Sequence, residues 1–331
     1  MTTYVETVRG PVGTDRLGPT LMHEHVFTLS TEIAANYPAL AWSGDKATRI
    51  TEAVAKLETL KAHGVDSLVD LTVLGLGRDV ATVAEINAQV DINIVVATGL
   101  YTYDELPGAI ECRRPGTRVW PSDRDVLVDL FVADITEGIV DTGVKAGILK
   151  CCTEVQGLTP GVERVLRAVA RAHRETGVPI STHTNAGART GLDQQRVFAE
   201  EGVDLSRVVI GHSGDTTDLD YLRQLMDEGS VIGMDRCGIY RRSMPTFEER
   251  VATIAALAAE GYADRMVLSH DASCHLDLLP WFEPERFPRW HYTHVPDEVL
   301  PALRAQGVTA EQTEQMMTVN PRRIFETQGA Y

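Results

Sequence analysis

The chain has no apolar stretch long enough to span a bilayer, and its N-terminus, MTTYVETVRGPVGTDRLGPT, lacks the basic start, apolar run and small-residue cleavage site of an export signal. Basic residues are in deficit. With 31 Lys and Arg against 47 Asp and Glu, the formal charge of -16 works against binding to phosphate backbones or anionic lipid surfaces. No local basic patch offsets it, so neither nucleic acid nor membrane is an expected partner. The five cysteines, Cys112, Cys151, Cys152, Cys237 and Cys274, form no C-x-x-C pair, and the adjacent Cys151 and Cys152 are poorly placed to bridge each other. That usage fits a reducing compartment, and the expected location is the cytoplasm. Also missing is a G-x-S-x-G nucleophile elbow, since GHSGD has its serine shifted, and so is a glycine-rich phosphate loop after the first strand. No linker, charge run or low-complexity tract divides the chain, so residues 1–331 read as a single domain.

What is present is alternation. From about residue 18, short β-branched and apolar runs alternate with longer segments of helical period, the pattern of repeated βα units. Eight strand candidates stand out: 20–27, 66–73, 92–101, 145–152, 178–184, 207–213, 230–236 and 265–271. Their even spacing predicts an α/β fold closed as one TIM (β/α)8 barrel, a fold that normally carries its chemistry at the C-terminal face. The first 17 residues read as a capping hairpin, and the segment 272–295 reads as a long, aromatic, structureless active-site loop.

The chemistry gathers at strand ends. His23 and His25 lie two apart on the first strand, so period-2 alternation sends both imidazoles to one side. His183, His212 and Asp271 fall at or near the ends of the fifth, sixth and eighth strands. One such histidine is ordinarily a hydrogen-bonded core residue, but four with an aspartate, all at strand ends, indicate a metal site. Lys150 closes the apolar run GIL, where a free ammonium is costly to bury. A salt bridge or a snorkelling side chain is the ordinary explanation. The alternative is a depressed pKa that lets the amine react with carbon dioxide, giving a carbamate that bridges two ions. His23, His25 and Asp271 would then hold one divalent ion, His183 and His212 the other, with zinc first and cobalt, iron or manganese next.

H-x-H on strand one, Lys on strand four, His on strands five and six and Asp on strand eight resemble the amidohydrolase superfamily. THTNAG, VVIGHSGDTTDLDYL, VIGMDR and LSHD, with GLTPGVERVLRAVARAHRETGVPISTHT, look more narrowly like the phosphotriesterase family, over essentially the whole chain. The resemblance implies a binuclear centre and hydrolysis of an ester or lactone bond. Phosphotriesterases proper carry a histidine and a tryptophan where this chain has Arg236 and Tyr101, a pattern similar to the phosphotriesterase-like lactonases of the N-acyl-homoserine lactonase type. The resulting expectation is a quorum-quenching lactonase, a homodimer acting on a small-molecule lactone. A phosphotriesterase or another amidohydrolase on the same centre is the alternative. Asp271 is the candidate proton carrier, and Tyr101 and Arg236 the candidate substrate contacts. The ordinary alternatives are a Tyr101 held by a structural hydrogen bond and an Arg236 paired with an acid such as Asp235. Trp281, Phe282 and Trp290 either line an acyl-chain cleft or pin their loop to the barrel. His270 should face away from the lumen, Cys237 and Cys274 should be small buried thiols, and His275, His291 and His294 should be surface residues.

Overall fold

The computed structural model describes residues 3–277, 286–326 and 329–331. Its strands are β1 (Tyr4–Thr7), β2 (Gly10–Gly13), β3 (Thr20–Thr28), β4 (Ser67–Asp70), β5 (Asn93–Gly99), β6 (Ile148–Thr153), β7 (Ile180–Thr184), β8 (Val208–Ile210), β9 (Val231–Met234), β10 (Met266–Leu268) and β11 (Ser273–Leu276). The antiparallel pair β1 and β2 is the expected hairpin. Strands β3 to β10 coincide in order with the eight candidates and pair in parallel with their neighbours, the arrangement of a TIM-type barrel. Backbone bonds from Asp271 N to His23 O (3.0 Å) and from His25 N to Ala272 O (2.9 Å) bring the chain after β10 back onto β3 and close the sheet.

Several ladders stop short of the apolar run that announces them. The eighth run extends to residue 271, but β10 ends at Leu268; the sixth extends to 213, but β8 ends at Ile210. The reason lies in the backbone. His212 (φ 58°) and Asp271 (φ 55°) are left-handed, a conformation that ends a strand and is costly for a residue with a Cβ. The segment 272–295 is not structureless, contrary to expectation. It begins with β11, which pairs in parallel with β3. Four residues carry too little periodicity to be read, and this strand owes its existence to the edge that β3 offers.

The helices outside the sheet begin and end on local signals. Thr159 caps 160–176 with Pro160 in the first turn and left-handed Gly177 after it, and Thr246 with Glu249 makes a capping box for 247–259. Inside the barrel, Met22, Val69, Val95, Ile148, Val209, Val231 and Val267, one from each of seven strands, form a buried apolar cluster that fills the lumen. Strict alternation would not let Met22 join them while the next residue, His23, faces the site; a register shift in β3 between Leu21 and Glu24 resolves the conflict. Among the described residues, no helix is long and apolar enough to cross a membrane.

His173, fully buried near the end of the helix 160–176, bonds through Nδ1 to the Val178 carbonyl (2.7 Å) and through Nε2 to the Tyr331 hydroxyl (2.8 Å). The carbonyl can only accept, so Nδ1 carries the proton and Nε2 accepts from the tyrosine. Burial lowers the His173 pKa to about 4. The unfolded chain therefore takes up this proton first, so the contribution to stability is complete above about pH 6.5 and is lost as pH falls toward 4. Between pH 7.5 and pH 5 this histidine alone should remove about 2 kcal/mol of unfolding free energy. Denaturant titrations of the wild type and His173→Gln at both pH values measure the difference, and equal pH slopes would contradict it.

Candidate metal centre

All the described side chains that the sequence singled out for the site converge. His23, His25, Lys150, His183, His212, Asp271, Tyr101, Arg236 and Trp290 line one cavity of about 910 Å³ at the C-terminal ends of the strands. Trp281 and Phe282 lie outside the described residues. The imidazoles of His23 and His212 stack with centroids 4.6 Å apart, and that of His183 meets His212 edge-on at 4.5 Å. Asp271 Oδ1 lies 3.1 Å from His25 Nε2 and 3.5 Å from His23 Nε2. Ligand atoms of His23, His212 and Asp271 all lie within 4.8 Å of one another.

Each imidazole is held from behind. His23 Nδ1 and His212 Nδ1 donate to the two oxygens of one carboxylate, Asp235, at 2.9 and 3.0 Å. Thr72 Oγ1, itself donating to Phe27 O, accepts from His25 Nδ1 at 2.8 Å. His183 Nε2 bonds Glu154 Oε1 at 3.2 Å, a carboxylate also held by Asn185 Nδ2 at 2.8 Å. These partners place a proton on the outward nitrogen of every ring and leave the other nitrogen with a lone pair facing inward. Four inward lone pairs beside a carboxylate form a donor set suited to divalent ions that prefer nitrogen and oxygen. Burial lowers the pKa of His23, brings His183 down to about 4 and drives His212 well below the usual histidine range, which keeps the rings neutral. Burial alone would raise the Asp271 carboxyl, but its surroundings, with the Arg236 guanidinium bonded to Oδ2, hold it well below the usual range.

Lys150 is 1% exposed. Its Nζ contacts His23 Nε2 (2.9 Å) and the Thr182 carbonyl (3.2 Å), and among the described residues no carboxylate is bonded to it. The salt bridge that would explain it ordinarily is absent, and it does not snorkel to solvent. Burial, against the opposing charges of Asp271 and Asp235, lowers its pKa to about 8, so this amine gives up its proton far more readily than an exposed lysine.

Around these groups the structure adds residues that sequence reasoning missed. Arg236 does not pair with Asp235. Its Nε donates to Asp271 Oδ2 and its Nη1 to Asp215 Oδ2, both at 2.9 Å, and Asp215 is anchored in turn by the buried Arg250. Tyr101 hydroxyl bonds Tyr103 hydroxyl and lies 3.3 Å from His183 Nδ1. Asp235 ends an apolar strand, and Glu24 lies fully buried between two histidines, so an acid in an apolar run was the available signal for both. His270 faces away from the lumen as expected, bonded to Glu24, and Cys237 and Cys274 are buried thiols. His275 and His294 are not surface residues. The first stacks on Trp42 and bonds the Ala41 carbonyl, and the second is fully buried between Tyr240 and Glu298, because the chain around them folds back onto the barrel. Because Asp235 orients two rings at once, Asp235→Ala should weaken affinity for divalent ions by about 10- to 100-fold. Chelator competition on the purified variant measures this, and unchanged affinity would remove Asp235 from the account.

A profile of the phosphotriesterase family matches residues 3–325. A solved structure described as the phosphotriesterase from Mycobacterium tuberculosis is 55% identical, covers 99% of this chain and 100% of its own, and superposes with a TM-score of 0.94. An aryldialkylphosphatase of Saccharolobus solfataricus is 38% identical over 312 residues, 93% of this chain and 95% of the relative. Another solved structure, described as "Molecular Engineering of Organophosphate Hydrolysis Activity from a Weak Promiscuous Lactonase Template", is 34% identical, with 98% of this chain and 100% of that chain covered and a TM-score of 0.88.

Proposed function

The chain belongs to the phosphotriesterase family and is a metal-dependent hydrolase, and from that premise we propose that it opens lactones, N-acyl-homoserine lactones above all, by hydrolysing the ring ester. The observation that carries this reading is the pair Tyr101 and Arg236 on the wall of the cavity that holds the histidines, Lys150 and Asp271. Burial raises the Tyr101 pKa well above its ordinary value, so the phenol stays protonated and can donate to a carbonyl oxygen. The Arg236 guanidinium, fixed between Asp271 and Asp215, presents a planar donor edge. A planar ester fits two such donors better than a tetrahedral phosphotriester does. The description of one similar structure as coming from a weak promiscuous lactonase template agrees with this choice.

On this reading His23, His25 and Asp271 would hold one ion and His183 and His212 the second, with Lys150, as a carbamate, supplying a ligand to both. The neutral amine adds to carbon dioxide through its lone pair and releases one proton, which leaves an N-linked carboxylate. Two divalent ions, when bound, acidify water and offset the charge that develops on a carbonyl oxygen. The protein's own groups do the rest. The Asp271 carboxylate, oriented by Arg236, takes the proton of the attacking water and returns it to the departing ring alkoxide. Tyr101 donates to the carbonyl. Leu76, Met244 and Trp290 offer apolar walls to an acyl chain, with Trp281 and Phe282 as further candidates. The protein would work in the cytoplasm, as a homodimer, removing an acylated signal.

A second reading is phosphotriester hydrolysis, favoured by the name of the Saccharolobus relative. A pH-indicator assay of metal-replete protein against an acyl-homoserine lactone, an aliphatic lactone, a phosphotriester and a cyclic amide decides between them. Proton release from the lactones first is the expected result, and faster release from the phosphotriester would promote the second reading.

A further inference from the structure

Asp271 is held in a left-handed conformation that its side chain disfavours, at the end of a ladder that has already stopped at Leu268. The groups that keep it there come from two directions. From β3, the fully buried Glu24 accepts at Oε1 from Ser269 Oγ (2.8 Å), His270 N (2.8 Å) and His270 Nδ1 (2.7 Å), and at Oε2 from Ala272 N (2.9 Å). This clamps the residues on both sides of Asp271. From the segment after β11, Val295 N donates to His270 Nε2 at 2.8 Å, and Tyr292 hydroxyl donates to the His25 carbonyl. The third contact reaches Asp271 itself: the indole N–H of Trp290 lies 3.1 Å from both the His270 and the Asp271 carbonyl oxygens. The same tryptophan lines the cavity. Its backbone is pressed against Gly238, two residues beyond Arg236, where a Cβ would overlap the Arg289 carbonyl and crowd Trp290 Cα.

We propose that Trp290 is a positioning residue: by holding the carbonyls of His270 and Asp271, its indole N–H aims the Asp271 carboxylate into the centre, so the wall that meets substrate also sets the geometry of the reacting group. The proposal rests on the reading of Asp271 as metal ligand and proton carrier. A wall residue acts through its ring face alone, whereas a positioning residue acts through its N–H, and Trp290→Phe separates the two by keeping a ring and removing the donor. In Trp290→Phe, apparent affinity for cobalt(II), measured by chelator competition, should fall about tenfold, as for loss of a partner behind a ligand. The kcat for short- and long-chain lactones should fall by one common factor, with the dependence of kcat/KM on acyl length unchanged. Trp290→Ala should show the same losses and, in addition, a flattened acyl-length dependence. Gly238→Ala, which displaces the Trp290 backbone and leaves its indole intact, should weaken cobalt affinity in the same direction and serves if the Trp290 variants do not fold. Wild-type cobalt affinity and kcat in Trp290→Phe would overturn the proposal. If the wild type opens no lactone, the substrate reading fails, and the cobalt measurement alone decides the role of Trp290.

Discussion

Lys150→Met is expected to cost the enzyme its metal and at least about four orders of magnitude in kcat/KM toward a lactone, roughly 5.4 kcal/mol of transition-state stabilisation. The size of the effect follows from the surroundings of Nζ, which are His23 Nε2, the Thr182 carbonyl and no carboxylate among the described residues. An ammonium there repels divalent ions, while a carbamate carries the opposite charge and two oxygens, so on the proposed reading the side chain acts in its modified form. Methionine nearly matches the lysine stem in volume and shape and needs no partner in an apolar setting. The metal-free variant should therefore melt at or above the temperature of the metal-free wild type, because an uncompensated buried amine is removed. That comparison separates loss of ligand from loss of fold. Retention of metal and activity together would reduce Lys150 to a structural residue.

The next largest effect concerns reaction class. We expect kcat/KM for a lactone to exceed that for a phosphotriester by at least about two orders of magnitude, roughly 2.7 kcal/mol. Arg236 is the reason to expect a gap this wide, since its guanidinium is fixed by two carboxylates and cannot swing to follow the bulk of a tetrahedral phosphorus centre. Arg236→His, which removes the fixed fork and moves toward the pattern of the phosphotriesterases proper, should narrow the ratio about tenfold, mainly by slowing the lactone. A ratio that does not move would place specificity elsewhere in the cavity.

Much of this site was legible because its chemistry is anomalous where it stands. A histidine pair on an apolar strand, a lysine closing another and an aspartate before a turn are costly unless something holds them, and the cost shows in the sequence. The eight strands were legible for a related reason, since buried parallel strands read as apolar runs. Their true ends were not, because His212 and Asp271 leave the ladder through left-handed backbone that no periodicity announces. The groups that orient the site were also hidden. Asp235 serves His23, 212 residues before it, and His212 from just beyond β9, and Glu154 serves His183 from the end of β6, so these pairings exist only once the barrel closes. His275 and His294 were misplaced because β11 and the segment after it pack by contact with β3 and the barrel, which short, aperiodic stretches do not foretell.

The account stands most directly on a metal titration of the metal-free protein, with zinc or cobalt added in steps while opening of an acyl-homoserine lactone is followed and bound metal is counted. On the proposed reading the four histidines, Asp271 and Lys150 make six ligands, too many for one tetrahedral ion and suited to two. Lactone opening should rise with added metal and level off at two ions per chain, with no comparable rise for a phosphotriester at any ratio. Full activity at one ion per chain, or a phosphotriester rate that overtakes the lactone rate as the sites fill, would contradict it.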